Sequence, residues 1–294
     1  MGPDGGRLRV TLDLLDEILL ARAPDLHRVL RPGLNGHQIQ DFLEPFRYDV
    51  PDVVRVLYSW HDGAELVDGP QRAELFPNAE MLPLSDAIRT WSEVVEAGRA
   101  GGRNLWDPHW LPLFAGYKWA FWVVDCGQLQ GPVKVFDWVD LPETWTAYAD
   151  LGDMSARVLQ CWSDGAYRQG SNATVDEDRH KAAAINRAMD QPPADIDRLI
   201  ADLATGTGSR YGNALALLRT RLYPDAVPGL IHLMNSKSRG RIAAAELLGW
   251  IGGREALECL ERVSELEPDD HIRDYARHAL QESKLRSVWS AGSG

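Results

Sequence analysis

Residues 241–252 read RIAAAELLGWIG, and after Gly253-Arg254-Glu255 the chain continues as Ala256–Leu260, ALECL. Small and aliphatic residues three and four apart make each stretch one face of a helix, and the glycines between them mark a break. The pattern recurs. Ala244, Leu247 and Leu248 stand 30 residues after Ala214, Leu217 and Leu218, and Ala256, Leu260 and Val263 stand 30 after Ala226, Leu230 and Leu233. The same interval backward reaches Ala184, then Ile196, Ile200 and Leu203. Forward, an interval of 32 turns Arg241, Ala244 and Leu248 into Arg273, Ala276 and Leu280. Each unit is therefore two helices, the first rich in alanines that allow close approach, the second in bulkier aliphatics. Stacking several such pairs buries a face that one pair cannot bury alone.

Breakers support this division. Tyr223-Pro224-Asp225 and Gly252-Gly253-Arg254 fall inside units, and Glu267-Pro268-Asp269-Asp270 falls between two. Pro192-Pro193 is placed at the turn of the first unit. Gly206 to Gly212, GTGSRYG, lacks the lysine of a phosphate loop and no strand precedes it, so it reads as a turn. RIAAAELLGWIG with the following ALECL resembles the HEAT-like repeats of the phycobilin-lyase type, over about residues 176–284. That resemblance implies an all-α solenoid at the C-terminus whose curved surface meets proteins. The polar run Arg168–Asp178, RQGSNATVDED, divides the chain into domains at 1–170 and 171–294.

The charge is uneven. Of the net −12, residues 1–170 carry −10 and residues 171–294 carry −2. An acidic first domain repels a phosphate backbone and attracts a basic partner. This disfavours nucleic acid, and the small cluster Lys237, Arg239 and Arg241 reads as a solvated loop. Three cysteines, Cys126, Cys161 and Cys259, form neither a CxxC pair nor a disulfide framework. The opening MGPDGGRLRV lacks a signal peptide's charged-then-apolar run, and no window approaches 18 apolar residues. The expectation is a cytoplasmic protein with no membrane segment. Its 11 tryptophans serve cores and interface anchors alike.

The first domain reads as helices followed by strands. Leu12, Leu14, Leu15, Ile18 and Leu19 form an apolar stripe on a helix over about 11–22. Asn35 caps a second helix carrying Ile39, Phe42 and Leu43. Pro51 opens a third, PDVVRVLYSWHDG, with Gly63 as its left-handed stop. A fourth starts near Ser85 and carries Ala87, Ile88, Trp91 and Val94-Val95. Trp119–Cys126 (WAFWVVDC) and Val133–Trp138 make an antiparallel hairpin about the turn Cys126–Gly131. Helical patterns follow at Leu141–Tyr148 and Ser155–Tyr167. This order gives an α+β domain with a small antiparallel sheet flanked by helices.

Several short motifs in order carry a second resemblance. They are Leu30–Leu34 (LRPGL), Val50-Pro51-Asp52, Leu57–Gly63 (LYSWHDG), Leu75-Phe76-Pro77, Met81–Leu84 (MLPL), Trp106–Phe114 (WDPHWLPLF), the WAFWVVD strand and Gly131-Pro132-Val133. Over about residues 28–150 the chain resembles the SUKH superfamily, which includes a fungal cell-wall regulator and bacterial immunity proteins. The segment Phe114–Trp119, FAGYKW, departs from the small and acidic residues often found there. The resemblance implies a binding fold without catalytic residues, and a bacterial member would neutralise a cognate toxin.

The residues offer little chemistry. His61-Asp62 could be a general base or a metal-ligand pair, but neighbours at a helix end diverge. No HExxH, no paired Cys/His cluster and no nucleophile elbow occurs, so neither a catalytic residue, a cofactor nor a metal is expected. The sequence predicts a non-catalytic protein-binding module, an immunity-type protein or regulatory adaptor meeting a protein partner such as a basic toxin domain. The alternative is a scaffold whose HEAT-like concave face is the main site. The candidate partner-binding residues are Asp62, Glu65, Asp68 and Glu74, in the loop expected after the third helix, with Trp106, Asp107 and His109.

Overall fold

The computed structural model describes residues 3–68, 71–101, 106–116, 120–137, 143–190 and 194–291. The chain divides into two compact units, Met1–Ala182 and Ala183–Gly294. The division falls within a helix, α7 (Arg179–Met189), beyond the expected polar run. That run folds instead as a hairpin of β11 (Tyr167–Gln169) and β12 (Val175–Glu177) in the first unit. Val175 N donates to Glu74 Oε2 at 3.0 Å, which ties the hairpin to the strand carrying Glu74.

The first unit starts with α1 (Pro3–Arg22), α2 (Pro24–Val29), β1 (Leu30–Pro32), α3 (Gly36–Leu43), α4 (Asp52–Trp60) and β2 (His61–Ala64). Four short strands follow: β3 (Leu66–Asp68), β4 (Gln71–Arg72), β5 (Glu74–Phe76) and β6 (Ala79–Met81). Then come α5 (Leu84–Gly101), β7 (Trp110–Ala115), β8 (Ala120–Asp125), β9 (Val133–Asp137), β10 (Glu143–Tyr148) and α6 (Leu151–Asp164). The main sheet is antiparallel with order β10-β9-β8-β7-β6-β5, so strands adjacent in sequence are adjacent in space. Trp106, Phe121, Val123 and Phe136 pack together on it, with Val94 and Val95 of α5 against them.

The α+β class is as the sequence implies, but the sheet is larger than one hairpin. Residues 143–148 are strand, correcting the helix expected at Leu141–Tyr148; Leu141 and Pro142 lie outside the described residues. Thr144, Trp145, Thr146 and Tyr148 favour extended backbone, and β9 supplies a partner edge, with Thr144 opposite Phe136 and Trp145 opposite Val135. Trp119 and Trp138, placed on the predicted hairpin, also lie outside the described residues. Asn35 does cap α3: its side chain accepts from His37 N and Gln38 N, and Gln38 returns a bond to Asn35 N. On α1 the stripe is narrower than expected. Leu8, Leu12, Leu15 and Leu19 are buried, while Leu14 faces solvent.

The end of α4 is a second correction. His61 leaves the helix in an extended conformation and opens β2, so His61 and Asp62 are strand and Gly63 is not a helix stop. Glycine is required at 63 all the same, both for its φ of 74° and because a side chain there would meet the backbone of Leu82 and Pro83 within 2.8 Å.

Beyond the end of α7 the regular elements among the second unit's described residues are all helices. It contains α8 (Ile196–Ala204), α9 (Gly208–Arg221), α10 (Val227–Met234), α11 (Arg241–Ile251), α12 (Arg254–Leu266) and α13 (Asp270–Ala291). Helices α9, α11 and α13 pack side by side as one layer and α8, α10 and α12 as the other. The recurring positions are the core. Ala214, Ala244 and Ala276 are buried in turn, as are Leu218, Leu248 and Leu280, Ala226 and Ala256, and Leu230 and Leu260. The backward extension holds in part: Leu203 is buried with Ile196 and Ile200 packed against the same core, but Ala184 is exposed, and its neighbours Ala182 and Ala183 are buried instead. Pro192-Pro193 lies outside the described residues.

Candidate functional site

In the repeats, sequence sets two kinds of column. Inward columns stay small or aliphatic, as the alanines and leucines show. Outward columns on the α8, α10 and α12 layer do not. Positions 30 apart read Arg198, Pro228 and Glu258 in one column, all exposed, and Thr205, Asn235 and Glu265 in another, also exposed. A third reads Asp202, His232 and Arg262. The repeat holds its interior apolar and varies its surface chemistry, as a recognition face requires. Of the two central helices, α11 has no exposed residue, whereas α10 exposes Pro228 and His232. The α10 side is the more open one.

Cross-ties hold this surface rigid. Arg241 opens α11 and donates from Nε to Met234 O, the end of α10, at 2.8 Å. Its counterpart Arg273 donates to Glu267 O, just after α12, at 2.7 Å. Each thus satisfies a terminal carbonyl that the preceding helix leaves open. Arg241 also grips the Glu267 carboxylate through both guanidinium nitrogens, which holds that carboxyl below its ordinary value of 4.5. Arg241 is therefore a strut, which corrects its reading as part of a solvated basic loop. Arg219 of α9 reaches Glu246 of α11 at 2.8 Å and lies over the Trp250 ring. Arg262 of α12 donates to Asn235 Oδ1 at 3.1 Å, joining two of the outward columns.

In the first unit the seven predicted residues disperse. Asp62 is buried on β2, where its Oδ1 accepts from Leu84 N at the start of α5 at 2.8 Å and its Oδ2 lies 3.4 Å from Arg31. It braces a helix end and does not reach solvent, because the expected loop is a strand. Trp106 is also buried: its Nε1 donates to Trp110 O at 3.1 Å and its ring meets those of Phe121 and Phe136. It is core, not an anchor for a partner. Glu65 is exposed between β2 and β3. Asp68 ends β3, with its side chain outside the described ones. Glu74 is half-buried and occupied by Val175 N.

Asp107 and His109 do come together. Asp107 Oδ1 accepts from His109 N at 2.9 Å and lies 2.8 Å from His109 Nδ1, and the His109 ring lies 4.3 Å from that of Tyr48. Register separates this pair from Glu74. Glu74 pairs through Glu80 to Ala115, at the far end of β7 from Trp110. A six-residue strand spans about 20 Å. The seven residues therefore make no single patch.

Asp125, which sequence reasoning passed over, sits beside His109. It is buried at the end of β8, bonded by Lys134 Nζ at 2.7 Å and by Gln128 Nε2 and Gly127 N. Burial pushes its carboxyl upward, but these three bonds prevail and hold it below the ordinary range. Only the alternation of the two strands around the Cys126–Gly131 turn could have signalled the Asp125–Lys134 pairing. The ensemble is an ordinary polar lock for a hairpin.

The comparison with protein families matches HEAT repeats over residues 192–281 and returns no SUKH match. Comparison with curated proteins finds no match. Among the described residues no helix is long and apolar enough to cross a membrane.

Proposed function

We propose that this protein is a non-catalytic scaffold whose stacked helix pairs carry the main partner surface, on the layer of α8, α10 and α12. One observation carries the reading: the stretch that matches HEAT repeats keeps its interior columns small or aliphatic while its outward columns change chemistry. HEAT-type repeats serve protein partners, and a rigid ladder presents varied side chains at little ordering cost.

The test is charge reversal on the full chain. Glu258→Arg with Glu265→Arg changes two exposed positions of α12 that no described core contact requires. The reading predicts that this variant stays folded and loses its partner in quantitative pull-down, while Glu65→Arg with Asp107→Arg keeps it. Loss by the second variant alone would instead favour the finer reading, an immunity-type protein using the first unit. The net −10 of residues 1–170, which attracts a basic toxin domain, and the resemblance of residues 28–150 support that reading.

A further inference from the structure

Three side chains from three elements of the first unit converge: Asp16 of α1, His27 of α2 and His61 of β2. Their ligand atoms all lie within 4.8 Å of one another. The sequence offers His61 as a ligand only beside its neighbour Asp62; Asp16 is 45 residues away and arrives on a different element, so the grouping itself is not marked.

The hydrogen bonds fix what each atom offers. His61 Nδ1 lies 2.7 Å from Arg31 O, and a carbonyl only accepts, so Nδ1 carries the proton. In the neutral ring Nε2 then keeps a lone pair, and it faces Asp16 Oδ1 at 2.9 Å. A backbone carbonyl that pins one histidine nitrogen and frees the other is the usual outer support of a metal-bound imidazole. His27 Nε2 points to the same oxygen at 3.2 Å, yet it is a buried atom with no hydrogen-bond partner among the described residues. A proton on His61 would settle one of these approaches and leave His27 unmet. A cation among all three settles both.

The spacing suits such an ion. Zinc with ligand bonds of about 2.0–2.2 Å sets tetrahedral ligand atoms about 3.3–3.6 Å apart, so the two imidazoles, at 2.9 and 3.2 Å from Asp16 Oδ1, need part from the carboxylate by only a few tenths of an ångström. The Trp60 ring stands edge-on to His61 at 4.4 Å and holds its plane. Arg31, the nearby guanidinium, is engaged by Asp62 at 3.4 Å. Two neutral imidazoles and a carboxylate form a borderline-soft set with one negative charge.

We propose that Asp16, His27 and His61 bind a divalent transition-metal ion of the zinc class, tying α1 and α2 to β2. Three protein ligands leave a fourth position for water. The ion acts as a clasp on the first unit, separate from the repeat surface.

The test uses tag-free full-length protein, stripped with a chelator and titrated with zinc sulfate by calorimetry. Metal content is measured after gel filtration, and circular dichroism checks the fold. One zinc retained per chain is expected, with binding at least tenfold weaker in His27→Gln and Asp16→Asn. Cobalt in place of zinc should give visible bands of low coordination number that His27→Gln abolishes. Should His61→Gln fail to fold, His27→Gln decides alone, because His27 is a quarter exposed on a short helix. No retained zinc would overturn the proposal, as would equal retention by wild type and folded His27→Gln; either result would leave Asp16 and His61 a plain ion pair.

Discussion

Arg221 is 3% exposed, at the end of α9, and its guanidinium meets Asp190 through Nε at 3.2 Å and Nη2 at 3.0 Å. Tyr223 OH donates to the same carboxylate at 3.0 Å. The repeat interval puts Ile251 and Gly253 where Arg221 and Tyr223 would recur, so this lock is built once, where the array begins. Removing one partner strands the other in a poorly hydrated place. Arg221→Ala should cost about 3 kcal/mol in urea unfolding, and a cost below about 1 kcal/mol would show the pair to be solvated. Glu267 gives a pH dependence. Arg241 holds its carboxyl below 4.5, so its contribution is complete above that value and is lost as pH falls through the folded-state value. Glu267→Gln should therefore lower Tm at pH 7 and lower it by less at an acidic pH in thermal unfolding. An unchanged gap at both pH values would mean that the residue acts through shape.

Gly249 shows what one element demands of its neighbour. A Cβ there would meet Ala279 Cβ and O, both at 2.9 Å, so α11 and α13 approach as closely as backbone allows. Gly249→Val should destabilise by about 2–3 kcal/mol, read as a shift in urea midpoint at constant slope. No change would mean that the two helices separate freely. The elements also explain what the sequence disclosed. The repeats were legible because buried positions recur at one interval, and repetition outweighs local ambiguity. Strand β7 was hidden by Pro108 and Pro112. Pro112 is tolerated in the sheet where the pairing with β8 shifts register between Pro112 and Phe114. Strand β10 read as helix because Leu141, Trp145 and Tyr148 are spaced four and three apart. For six residues that spacing loses to an available strand edge. Site residues fared worse for a related reason. Asp62 and Trp106 stand in stretches whose local pattern gives an exposed loop, but exposure depends on what packs above a residue, which local pattern does not encode. The Asp16, His27 and His61 cluster is non-local altogether.

Across the molecule, the two units differ in what their surfaces offer. Residues 1–170 hold most of the negative charge but disperse the side chains that would have made one acidic, aromatic grip. The repeats are nearly neutral, yet they line varied side chains along stacked helices braced by Arg241, Arg273 and Arg219. Order and variety together favour the repeats as the docking side. Photo-crosslinking inside cells tests this most directly, with a benzophenone amino acid placed singly at Glu258, Glu265, Glu65 or Asp107 of the full chain. The account predicts that Glu258 and Glu265 trap one discrete protein that Glu65 and Asp107 do not. Adducts formed only from Glu65 and Asp107, with none from α12, would contradict it.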